Sequence, residues 1–144
     1  MNNASCRLFI NDPVSGLRYL IDSGSDVSAI PASKFKTSLR KPDQSLCAAN
    51  GSSIDVFGTK FMRISLGFRR NFENNFLVAS VTKPIIGADF LRNSGLLIDI
   101  KNNRLIDPTT KSFVEGIRFN GNFDSLKFFS IEHRYDEILK KFPE

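Results

Sequence analysis

The sequence predicts an all-β domain carrying one short helix over residues 1–108. Three observations support that class. Short apolar runs alternate with polar residues, the period of a half-buried strand. Gly, Pro, Asn and Asp break these runs where turns are needed. Only one segment of this region has helix punctuation, with Asp89 near its start and Gly95 as its stop.

Residues 7–11 and 17–21 read as two strands joined by the turn Asp12-Pro13-Val14-Ser15-Gly16. Pro13 fixes a turn dihedral and Gly16 admits positive φ. Residues 54–66 alternate in part through Ile54, Val56, Phe61, Ile64 and Leu66, and Gly58 within them predicts a bulge or bend. Residues 76–81 read as a further strand and 88–93 as the helix. Residues 96–100 and 104–107 flank Lys101-Asn102-Asn103, a hairpin loop. After Pro108 the chain turns polar, and 109–125 read as linker or irregular structure. Ile131, Tyr135, Ile138, Leu139 and Phe142 then recur at helical spacing behind Ser130 as N-cap. This amphipathic helix either packs on its own domain or leads into another. The expected division is a domain at 1–108, then a linker and helix at 109–144, the whole a piece of a longer polyprotein.

Composition excludes several function classes. The chain has 144 residues, 41% hydrophobic and 24% charged, ordinary values for a folded domain that needs neither disulfide nor metal. No apolar run approaches the ~18 residues of a membrane-spanning helix, and the start Met-Asn-Asn-Ala-Ser-Cys lacks the pattern of a signal peptide. One histidine, His133, and two cysteines, Cys6 and Cys47, are too few for a cysteine–histidine zinc cage. The cysteines are expected to be free thiols. The sequons at Asn3 and Asn50 are read as chance, without a secretion signal. Neither a Gly-x-x-x-x-Gly-Lys phosphate loop nor a Gly-x-Ser-x-Gly elbow occurs. The net charge of +5 comes from scattered residues and two small clusters, Lys34-Lys36-Arg40-Lys41 and Arg69-Arg70. A nucleic-acid binder shows a denser basic stripe with interleaved aromatics, so a solvated basic surface is the better reading.

One segment carries chemistry: Leu20-Ile21-Asp22-Ser23-Gly24-Ser25-Asp26-Val27-Ser28-Ala29-Ile30-Pro31. An apolar strand runs into a carboxylate, a hydroxyl and a glycine. Taken alone, Asp22-Ser23-Gly24 reads as a turn in which Asp22 caps its own backbone. Its context is Ala48-Ala49-Asn50-Gly51-Ser52, then Pro84-Ile85-Ile86-Gly87-Ala88-Asp89-Phe90-Leu91, then Gly95-Leu96-Leu97-Ile98-Asp99 and Arg104-Leu105-Ile106-Asp107. In order and spacing, residues 6–107 resemble the retropepsins, the aspartic proteases of retroviruses and long-terminal-repeat retrotransposons. The gypsy-type retrotransposon branch is the nearest likeness. The tail resembles the lead-in to a reverse transcriptase.

The resemblance implies a single pepsin-like lobe, a β-barrel with one short helix, acting as a homodimer. Peptide hydrolysis by carboxylates needs a pair that shares one proton. The chain has one Asp-Ser-Gly, so a second copy must supply the second carboxylate. Asp22 and its mate then activate water. Ser23 braces the facing copy, and Gly24 leaves room for the substrate backbone. Asp26 meets substrate amides, with a plain surface acid as its other reading. Asn50, Gly51 and Ser52 form the tip of a flap that closes over an extended peptide. Ala29 and Ile85 line side-chain pockets, while Ile30 and Ile86 read rather as core. Asp89 and Arg92 are read as partners for charges near the active-site loop. Ala88 stands where relatives carry a bracing Arg. The implied activity is endopeptidase processing of the element's own polyprotein, in the cytoplasm or a virus-like particle. The implied partners are a second copy and a polypeptide, with no cofactor, metal or membrane. The rival readings are a host-encoded relative that cuts cellular proteins, a non-catalytic dimerisation or binding module of this fold, and a basic nucleic-acid-binding β domain.

Overall fold

The computed structural model describes residues 7–34, 44–119 and 125–127. The expected helix at 131–142, His133, Cys6, the Asn3 sequon and the basic residues Lys36, Arg40 and Lys41 lie outside the described residues. Strands β1 (Arg7–Asn11) and β2 (Arg18–Asp22) form an antiparallel hairpin. Its turn closes where Pro13 and Gly16 require: the Gly16 N–H donates to the Asp12 carbonyl at 2.8 Å, with Gly16 at φ 76°. The buried Asp12 carboxylate accepts from the hydroxyls of Ser15 and Ser65 at 2.8 and 2.9 Å and from the Leu66 N–H at 3.2 Å. Burial alone raises an acid's pKa, but these donors outweigh it and hold Asp12 below the ordinary carboxylate range. The first turn is thereby tied to the chain at Ser65 and Leu66.

The chain continues through β3 (Ala29–Pro31), one 3-10 turn (Ala32–Lys34), β4 (Gln44–Ala48), β5 (Ser53–Ile64), β6 (Phe72–Ala79) and β7 (Ile85–Ile86). Helix α1 (Ala88–Ser94) follows. It ends at Gly95, whose φ of 71° lets its N–H and the next bond back to the last turn. Then come β8 (Leu97–Asp99), β9 (Arg104–Asp107), β10 (Ser112–Glu115), β11 (Ile117–Arg118) and β12 (Leu126–Lys127). Nine strands form one sheet in the order β11-β1-β2-β7-β3-β6-β5-β4-β12, and β10-β9-β8 form a second. Strand β7 is inserted between β2 and β3, parallel to the first and antiparallel to the second. That insertion shapes the site, because it brings Gly87 and α1 under the β2–β3 loop.

The expected mostly-β fold with one short helix is present, with shifted strand ends (Arg18–Asp22 for 17–21, Ser53–Ile64 for 54–66) and three larger differences. Strand β6 begins at Phe72, not at residue 76. Glu73-Asn74-Asn75 have low strand preference, but their pairing with Phe61, Met62 and Arg63 overrides it. Residues 109–125, read as linker or irregular, contain β10 paired to β9 and β11 paired to β1. These strands are short and largely exposed, so they lack the apolar alternation that marks a strand in sequence. The hairpin loop after β8 runs one residue longer, since Asp99 pairs directly with Arg104. Gly58 does mark a bulge: the β5–β6 register shifts between Val56 and Gly58.

A large apolar cluster centred on Leu8, Tyr19, Ile21, Ile30, Phe76, Ile86, Phe90 and Leu105 holds the two sheets and the helix together. A smaller one contains Val27, Ala29, Leu46, Val56, Leu77, Ala79, Ile85 and Leu126. The second sheet is fastened to the core by Arg70, which holds the buried Asp107 through two bonds of 2.8 and 2.9 Å and also donates to the Ser94 carbonyl at 3.1 Å. The Arg70 bonds, with donors from Thr110 and the Thr109 N–H, keep the Asp107 carboxyl far below the ordinary carboxylate range despite its burial. A depressed folded-state pKa contributes stability above the unfolded value, about 3.9, and loses it as pH falls below that value. Asp107→Asn is therefore expected to cost about 2 kcal/mol at neutral pH. In urea melts the gap to wild type should close progressively as the pH is lowered below about 4. An equal gap at both pH values would contradict the assignment.

Candidate active site

Asp22 ends β2, and the turn after it follows from local chemistry. Its Oδ1 accepts the Gly24 N–H at 3.0 Å and its carbonyl accepts the Ser25 N–H at 3.0 Å. The Asx turn legible in the tripeptide is thus real, and it fixes the carboxylate's orientation. Oδ2 accepts the hydroxyls of Ser25 at 3.1 Å and Ser125 at 2.7 Å. Arg7 Nε lies 3.4 Å from the same oxygen, and Arg7 also donates to Ser125 Oγ at 3.4 Å. The hairpin register itself sets Arg7 opposite Asp22. In the single chain the Asp22 side chain is fully buried.

The loop beyond Asp22 is clamped from below. The Ala88 N–H donates to the Ser25 carbonyl at 2.7 Å. Ser28 Oγ accepts the Gly87 N–H at 2.9 Å and donates to Asp89 Oδ1 at 2.7 Å. Asn74 reaches the other Asp89 oxygen at 3.4 Å and accepts from Asn93 at 3.1 Å. Asp89 thus meets a loop hydroxyl rather than the loop charge read for it. Ser28, Asp89, Asn74 and Asn93 form a polar brace beneath this loop.

The remaining residues singled out by the sequence divide clearly. Ser23 is exposed and Asp26 is half-buried. Ala29 and Ile85 are direct cross-strand partners, fully buried, and belong to the smaller apolar cluster. Ile30 and Ile86, one position on, belong to the larger one. Asn50, Gly51 and Ser52 form the exposed tip joining β4 to β5. The three-residue turn proper is Ala49-Asn50-Gly51, flanked by Ala48 and Ser52: Gly51 N–H bonds the Ala48 carbonyl and Ala48 N–H bonds the Ser52 carbonyl, both at 2.8 Å. Gly51 sits at φ 94°, as this turn demands. Asn50 Oδ1 accepts from both the Ser52 N–H and hydroxyl, at 2.9 and 2.8 Å.

Sequence reasoning missed Arg7, Ser28, Asn74 and Ser125. Only Arg7 had a usable signal, because counting back across the hairpin turn places it beside Asp22. Among the described residues no three metal-ligating side chains converge, and no helix is long and apolar enough to cross a membrane. An open hollow of about 350 Å³, lined by Phe9, Arg18, Lys34 and Lys83 among others, lies at the far end of β2 from Asp22 and shares none of this chemistry.

Among solved structures, the chain is similar to the retroviral protease-like domain of Ddi1 from Leishmania major. That likeness has TM-score 0.56 and 16% identity, over 84% of this chain and 98% of that one. It is also similar, at TM-score 0.45 and 19% identity, to EIAV protease complexed with the inhibitor HBY-793, over 66% of this chain and 91% of that one. No family model matches the sequence. No curated protein matches it either. The fold is retropepsin-like, in agreement with the motifs at Asp22 and Ile85.

Proposed function

We propose that the chain is one half of a homodimeric aspartic endopeptidase, and that its substrate is the polyprotein of a gypsy-type long-terminal-repeat element. Asp22 is the observation that carries this reading. It is a carboxylate oriented by its own turn at the end of a core strand, linked through residues 125–127 to a glycine-tipped hairpin, in a retropepsin-like fold. With one Asp-Ser-Gly per chain, two copies complete the site.

Two adjacent carboxylates share one proton. The ionised one takes a proton from water as the water oxygen bonds to the scissile carbonyl carbon. The protonated one gives its proton to the carbonyl oxygen. The resulting diol then collapses: a diol proton returns to the dyad, the nitrogen takes a proton from it, and the C–N bond breaks. This chemistry asks for no metal or cofactor. Ser23 offers its hydroxyl to the facing copy, Gly24 admits the substrate backbone, and Asp26 meets it. Ala29 and Ile85 wall an apolar pocket. The hairpin tip Asn50-Gly51-Ser52 closes over the peptide as an added strand. The site of action would be the cytoplasm or a virus-like particle.

The test is cleavage of a peptide library by the purified chain beside an Asp22→Asn control. The rate is expected to be bell-shaped in pH with its maximum below neutrality, because only the singly protonated dyad works. A rate climbing steadily into alkali would indicate another nucleophile. Gly51→Val puts a β-branched side chain at a positive φ, costing about 1–2 kcal/mol locally. Cleavage is expected to fail in this variant while the urea midpoint falls by no more than about 1 M, the shift this strain produces at a slope of about 2 kcal/mol per M. Normal turnover would place the closing element elsewhere. A non-catalytic binding module is the second reading, favoured by the burial of Asp22 under Ser125. Cleavage that requires Asp22 excludes it.

A further inference from the structure

We infer that residues 125–127 are a built-in occupant of the peptide groove, a strand of the chain's own tail that must leave before any polypeptide enters. The occupancy stands on geometry, while its inhibitory consequence rests on the endopeptidase reading.

Six contacts define it. Strand β12 adds antiparallel to β4, the outer strand of the glycine-tipped hairpin, with Leu126 opposite Ala48 and Lys127 opposite Cys47. This is recognition of a peptide by strand addition. On its other side the Asp26 N–H donates to the Leu126 carbonyl at 2.8 Å. The Leu126 N–H donates to Ser25 Oγ at 2.9 Å and Lys127 Nζ to the Gly24 carbonyl at 2.6 Å. The segment is therefore bonded to both the hairpin and the Asp22–Asp26 loop. The Leu126 side chain is 1% exposed within the cluster that contains Ala29 and Ile85. Ser125 Oγ caps Asp22 Oδ2 at 2.7 Å.

These contacts describe a plug rather than a bond about to be cut. What meets the carboxylate is a side-chain hydroxyl, and Arg7 stands against the same oxygen. The plug also states what can replace it: an extended segment with a leucine-sized aliphatic side chain, a small hydroxyl residue before it and a cation after it. Because the plug is covalently attached, it competes at high effective concentration.

In the full chain, Leu126→Glu sets a charge against an apolar wall and is expected to expel the strand. The Asp26 amide should then exchange with solvent at least about tenfold faster. The Leu20 and Leu77 amides, bonded to the Pro84 and Ser28 carbonyls in the core, should keep their protection. A synthetic peptide of residues 121–131 should slow Asp26 exchange again. It should also inhibit the variant competitively. Peptide cleavage by Leu126→Glu should show kcat/KM about tenfold above wild type, carried by KM. Lys127→Ala, which loses only the bond to Gly24, should move both readouts the same way by less, and it decides the matter should Leu126→Glu fail to fold. Unchanged Asp26 exchange in the folded variants, or no restoration by the peptide, would overturn the occupancy. Exchange as expected with no cleavage by any form would uphold the occupancy and overturn the endopeptidase reading instead.

Discussion

Asp22→Asn is expected to lower kcat on the order of 10⁴-fold while leaving the fold intact. Asn matches Asp in shape. Its carbonyl oxygen keeps the Gly24 N–H, and the hydroxyls of Ser25 and Ser125 are free to rotate and accept from its amide. What it lacks is the negative charge facing Arg7, whose loss lowers the urea midpoint of a chain that still folds, and the exchangeable proton of a carboxyl pair, whose loss stops turnover. Turnover and a urea melt on the same preparation separate the two effects. A variant that is folded and fully active would remove Asp22 from the chemistry.

Gly87→Ala is expected to destabilise the fold by about 3 kcal/mol, the upper end of what overpacking costs. The reason is not backbone conformation, since φ −100° suits any residue. A Cβ on Gly87 would lie 2.7 Å from the Val27 carbonyl carbon and 2.8 Å from the Ser25 carbonyl oxygen. Both are backbone atoms of the loop that carries Asp22, which accepts from the Ala88 N–H at the Ser25 carbonyl and from the Gly87 N–H at the Ser28 hydroxyl. The loop must shift as a unit, so activity should fall along with stability. An unchanged urea midpoint would mean that the loop yields without cost, and that Gly87 does not set its position.

How much of this was legible in the sequence depended on whether the cause was local. The turn at Pro13 and Gly16, the bulge at Gly58 and the stop at Gly95 were all readable, because one residue's dihedral preference decides each of them, whereas the hairpin tip at Gly51 was readable only through the retropepsin resemblance. The separation of Ala29 and Ile85 from Ile30 and Ile86 follows from strand alternation. The brace of Ser28, Asp89, Asn74 and Asn93 was not legible. Its members come from a loop, a strand and a helix, and polar residues carry no periodic signal of what they will bond. The start of strand β6 at Phe72 is hidden for the same reason, since Asn74 and Asn75 are ordered by their partners. The segment 125–127 shows no strand pattern at all, being only one apolar residue between a serine and a lysine. Only the groove that receives it makes it a strand.

The central claim is that two chains, each giving one Asp22, make one site. It is tested most directly by measuring specific activity and sedimentation over the same dilution series, for wild type and for Leu126→Glu, whose opened groove gives the larger signal. Specific activity is expected to fall in step with the dimer fraction. Adding excess Asp22→Asn at fixed wild-type concentration should suppress it further, since each mixed dimer holds a single carboxylate. A monomer whose specific activity does not change on dilution, and which Asp22→Asn does not poison, would contradict the shared site.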